Sequence, residues 1–72
     1  MSKKIDWIGA AVSVPGRKTW KLPVKVDEHR WTVLVSEEAW DKHGEAKCRA
    51  KATQKIRDAV VVGEIVVSSE DF

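Results

Sequence analysis

The 72-residue chain has no tyrosine, one phenylalanine, one methionine and one cysteine. A lone Cys48 excludes an internal disulfide, and a short chain without bridges fits a reducing compartment, so the cytoplasm is the expected location. No apolar run approaches the roughly 18–20 residues that cross a bilayer, which argues against a membrane-spanning role. Asp6 interrupts the apolar residues behind Lys3 and Lys4, so no secretory leader is expected. Charge of one sign is scarce too. Thirteen Lys and Arg against eleven Asp and Glu leave +2, too mild to mark a nucleic-acid binder by itself. Repeats, linkers and low-complexity tracts are missing, so residues 1–72 read as one domain.

Catalytic signatures are also lacking. The chain has no glycine-rich phosphate loop, His-Glu-x-x-His, Cys-x-x-Cys or Gly-x-Ser-x-Gly. The one nucleophile, Cys48, has His43 five residues away across Gly44 and sits on an apolar helix stripe, where a free cysteine is ordinarily core. Glu37 and Glu38 are adjacent and point different ways from a helix. His29 and His43 have no third ligand at metal spacing. No enzyme activity, cofactor or metal site is expected.

What is present is a globular balance, 43% hydrophobic and 33% charged. Ile8, Ala10, Val12 and Val14 alternate with small residues, which suits a short strand, and Pro15-Gly16-Arg17-Lys18 reads as a turn. Trp20, Leu22, Val24 and Val26 alternate with Lys21, Pro23 and Lys25, a strand with one wet face. Pro23 has no N–H for a ladder, which suggests an edge strand or an N–H side turned to solvent. Trp31, Val33 and Val35 form the next apolar row. A hairpin centred on Glu28-His29 sets Val26 opposite Trp31, Val24 opposite Val33 and Leu22 opposite Val35. Ser36 is a suitable helix N-cap before Glu37 and Glu38, with Gly44 as a left-handed stop. A second helical stretch runs from Glu45 to about Ala59, with Cys48, Ala52, Ile56 and Ala59 on one stripe. The β-branched run Val60–Val67 is broken by Gly63, leaving Glu64–Val67 as a last strand. The expected fold is α+β: a small antiparallel sheet, made of the hairpin with N-terminal and C-terminal strands, and one helical layer on one face.

Two stretches resemble a family. Leu22-Pro23-Val24-Lys25-Val26-Asp27 followed by Val33-Leu34-Val35-Ser36-Glu37-Glu38-Ala39-Trp40-Asp41-Lys42-His43-Gly44 is similar to the small bacterial family called domain of unknown function 1488. The tail Gly63-Glu64-Ile65-Val66-Val67-Ser68-Ser69-Glu70-Asp71-Phe72 resembles that family's C-terminus. Trp40 stands where the family commonly has Leu, and the resemblance runs from Leu22 to Phe72. It implies a few antiparallel strands with a helix laid across one face, and no catalytic residue.

Function then falls to binding, with two surfaces open. Lys47, Arg49, Lys51, Lys55 and Arg57 occur with no acid between them. If Arg17, Lys18, Lys21 and Lys25 share their face, a basic patch for nucleic acid or an acidic partner results. The other surface is a protein interface at Trp7 and Ile8 and the sheet edge, serving a homodimer or a larger partner. Trp7 could instead fold back as a lid on the core, with Trp20, Trp31 and Trp40 in the same layer. Phe72 is expected on the sheet edge.

Overall fold

The computed structural model describes residues 3–60 and 63–72. Five strands are described: β1 (Ile5–Trp7), β2 (Val12–Val14), β3 (Thr19–Val26), β4 (His29–Ser36) and β5 (Glu64–Val67). Two helices, α1 (Glu37–His43) and α2 (Glu45–Asp58), lie between β4 and β5, and a short 3-10 turn, Ser69–Asp71, follows. Of the run Val60–Val67, Val61 and Val62 lie outside the described residues. Among the described residues, no helix is long and apolar enough to cross a membrane.

The long hairpin organises the sheet. Its period-two alternation places Leu22, Val24 and Val26 with Trp31, Val33 and Val35 on one face, all buried. The turn is tighter than the residues suggested. Val26 pairs with His29, Val24 with Trp31 and Leu22 with Val33, so the loop is Asp27-Glu28 alone. Both residues take positive φ, 51° and 72°, the two-residue turn whose twist matches paired strands. The expected pairing was two residues out. Strand faces repeat every two residues, so the buried row survived that error.

The expected edge position for β3 is corrected. The strand lies inside the sheet, with β1 and β2 both paired to one side of it and β4 to the other. Pro23 turns its missing N–H toward the break between β1 and β2, where its carbonyl still accepts the Ile8 N–H at 3.2 Å. Gly9 passes close over the proline ring, and a Cβ there would come within 3.0 Å of Pro23 Cγ. The ladder is interrupted where it has no donor to use. The Lys3–Val14 segment therefore forms paired strands.

β5 departs from an all-antiparallel sheet. It runs parallel to β4, with Val33 beside Ile65 and Val35 beside Val67. The helical crossover through α1 and α2 supplies the connection that parallel neighbours need.

Each helix begins where its side chains dictate. Ser36 Oγ accepts the Ala39 N–H at 3.2 Å, while Glu37 and Glu38 occupy the first turn of α1, where the helix dipole favours acid. Gly44 separates the helices at φ 85°, ψ 164°. This is not the left-handed helical stop expected but an extended, positive-φ conformation open almost only to glycine. α2 buries Cys48, Ala52 and Ile56 against the hairpin, Ala39, Ile65 and Val67. Trp20 stacks on Trp40 with ring centres 4.7 Å apart and planes 18° apart, sealing one end of the same layer. Both helices lie on one side of the sheet. Among the described residues, the other side has no helical cover.

Candidate functional site

The basic residues of α2 do not form one patch. At about 100° per residue, Lys47 and Arg49 project about 160° apart, so the lysines and Arg49 occupy opposite flanks of the helix. Arg49 pairs with Glu45 at 2.8 Å and lies over the Trp7 ring at 4.8 Å. Lys51 donates to Gln54 Oε1 at 3.3 Å and stands 5.7 Å from the centre of Phe72. Lys55 donates to the Val66 carbonyl at 2.5 Å and to Asp71 Oδ1 at 3.0 Å. Lys47 and Arg57 are exposed and take part in no side-chain hydrogen bond or ion pair described. Lys51, Gln54, Lys55, Asp58 and Asp71 share one shallow basin of mixed charge.

Nor does the second basic group join them. Lys21 and Lys25 alternate with the buried Leu22, Val24 and Val26, so they project from the uncovered side of the sheet, away from α2. The two candidate interface residues are separated in the same manner. Trp7 pairs with Val24 and packs against the core on the helix side, acting as its lid. Ile8 continues the β1 register through its bond to Pro23, which turns it to the other side, where it is 37% exposed.

The sheet edge has its own cover. Val66 and Ser68 turn backbone groups away from β4. Lys55 occupies the Val66 carbonyl, while the Ser68 N–H donates to Asp71 Oδ2 at 2.7 Å. Asp71 thus ties the edge to α2 with both carboxylate oxygens. Its carboxyl is held below the usual aspartate value, first by the Ser68 N–H and also by Lys55, against a smaller opposing effect of partial burial. Phe72 is not on this edge but stacks on His43, ring centres 4.0 Å apart. On the opposite side of the sheet, β1 and β2 are three residues each with a break between them. A filled edge and a broken one are both poor templates for strand addition.

Cys48 is buried, and its thiol lies 3.5 Å from the Ala39 carbonyl. Burial raises its pKa above the ordinary thiol value, which keeps it protonated and unreactive. Among the described residues, no three His, Cys, Asp or Glu side chains are grouped as metal ligands would be.

The surface that sequence reasoning missed is the uncovered face. Val12 pairs with Lys21, Lys21 with Leu34, and Leu34 with Val66, forming one lateral row across four strands. Directly paired residues share a face. Val12 is 59% exposed and Val66 53%. Val14, Arg17, Thr19, Lys21, Leu34 and Glu64 are among the residues lining a concavity here. The signal was present as broken alternation. Leu34 is apolar between Val33 and Val35, Val66 between Ile65 and Val67, and Val12 belongs to the alternating row Ile8-Ala10-Val12-Val14. The exceptions line up.

No known protein family, curated protein or solved structure matches the chain.

Proposed function

We propose that this is a non-catalytic protein-interaction module whose partner lies on the uncovered face of the sheet. The observation that carries this reading is the row Val12–Lys21–Leu34–Val66, which places apolar side chains in water on the one face the helices leave bare. Exposed apolar side chains grouped on one face are a feature of interaction surfaces. Nucleic acid is less well supported. The α2 cations are divided between two flanks, and three of the five are held by groups of the same chain. A sheet that reads single strands does so with aromatic platforms. Here Trp7, Trp20 and Trp31 all sit at register positions on the helix side. The unpaired, buried thiol of Cys48 suits a reducing cytoplasm. The domain of unknown function 1488 family is the proposed kinship.

The test compares three baits in an extract of the native cell: wild type, Leu34→Asp and the Lys47→Glu/Arg57→Glu pair. A protein retained by wild type and by the double variant but lost with Leu34→Asp supports the reading. Retention unaffected by Leu34→Asp, or co-purified nucleic acid lost with Lys47→Glu/Arg57→Glu, overturns it.

A further inference from the structure

We infer that the occupant of the uncovered face is an acidic amphipathic helix of a partner protein. This rests on the proposed interaction face and adds the chemistry of what binds there.

Three features of the face decide the occupant. The first is charge. Lys21, Lys25 and Arg30 project from this side, and Arg17 lines the concavity, against Asp6 and Glu64. Lys21, inside the row between Val12 and Leu34, and Arg17 in the concavity complement an element that carries carboxylates among its aliphatic residues.

The second feature is the state of the edges. An extended peptide adds to a sheet through unpaired backbone groups. Lys55 and Asp71 occupy such groups on β5, and the break at residues 8–11 interrupts the other margin. Strand addition is therefore hindered, while the face is open.

The third is geometry. Four strands at ~4.8 Å spacing make the row about 14 Å long, the rise of roughly ten helical residues. Two or three aliphatic side chains from one helix stripe span that distance, as Cys48, Ala52 and Ile56 of α2 do on the opposite side.

Two synthetic peptides of about 15 residues test this. Each carries the same Leu/Ala stripe on an alanine-rich helix, one with Glu and the other with Lys on the flanks. A short DNA duplex is the third ligand. Backbone amide shifts of the isotope-labelled full chain are followed, with mass measured by sedimentation. The Glu peptide is expected to shift Val12, Lys21, Leu34 and Val66 saturably, and Arg17→Glu/Lys21→Glu should weaken it by about tenfold or more. The Lys peptide should bind weakly. Equal use of this face by both peptides overturns the acidic helix while leaving the interaction face standing. No shift on this face from either peptide removes both. Duplex-induced shifts at Val12, Lys21, Leu34 and Val66, or a dimer through this face, assign it a different occupant and overturn the inference.

Discussion

Replacing Lys55 by Met keeps an aliphatic stem on the flank of α2 and deletes the ammonium that ties this helix to β5 and the C-terminal turn. Two interactions are lost: the donation to the Val66 carbonyl at 2.5 Å and the pair with Asp71 at 3.0 Å. A charged hydrogen bond contributes about 1.5–3 kcal/mol when enclosed, and an exposed ion pair ~0–1. Lys55 and Asp71 side chains are 34% and 28% exposed, and water can replace part of the loss, so the expected cost is about 1–2 kcal/mol. In a domain of this size that lowers the thermal midpoint by roughly 4–16 °C. Urea unfolding followed by tryptophan fluorescence measures it, with Lys47→Met as the control for removing a charge from the same helix flank. Freeing the Val66 carbonyl also opens the β5 edge, so the variant should self-associate as concentration rises. The effect has a pH signature. Asp71 is lowered in the folded protein, so its stabilisation is complete above the ordinary aspartate range and is lost as pH falls through that range toward its lower folded value. The difference between wild type and Lys55→Met should narrow over that same acid window. Equal stability of wild type and Lys55→Met, or an equal loss in Lys47→Met, would refute a specific edge clamp.

Three further outcomes test the local geometry. Glu28 holds φ at 72° in the hairpin turn, a conformation that costs a non-glycine residue about 1 kcal/mol. Glu28→Gly should therefore raise the urea midpoint by the equivalent of roughly 0.5–1 kcal/mol, and a lower midpoint would contradict the turn assignment. Gly44 has open space where a Cβ would go, so Gly44→Ala isolates backbone strain and should cost about 1–3 kcal/mol by thermal unfolding. A neutral result would place Gly44 in an ordinary conformation. Cys48, buried with a raised pKa, should react with a thiol reagent at the rate of protein opening, accelerating in urea as the core unfolds. Immediate modification in native buffer would show that the α2 stripe is not packed.

The buried layer was legible because it depends on parity and helical period, which short-range patterns carry. Leu22, Val24, Val33 and Val35 keep their faces under any even shift of register, so a misplaced turn centre did no damage. Ser36 and the Cys48–Ile56 stripe were legible for the same local reason. The parallel pairing of β5 was not, since strand direction depends on how the two-helix crossover returns. The role of Lys55 was hidden in a different way. Counted along the chain it belongs to a run of cations without an acid. In space Asp71 comes to it from sixteen residues away. Charge patterns in sequence omit partners supplied by folding. The uncovered face was not legible because Ile8, Val12 and Val14 alternate as core residues do, and alternation shows that a row shares one side without showing which side is covered.

The uncovered face and the α2 flank can be separated by two variants of equal net charge, Arg17→Glu/Lys21→Glu and Lys47→Glu/Arg57→Glu. Calorimetric titration of the Glu-flanked peptide into each, at one salt concentration, is the most direct measurement. Binding should be lost or weakened by about tenfold or more in the first variant and retained in the second. Equal weakening in both, or loss only in the second, would contradict recognition by the sheet face.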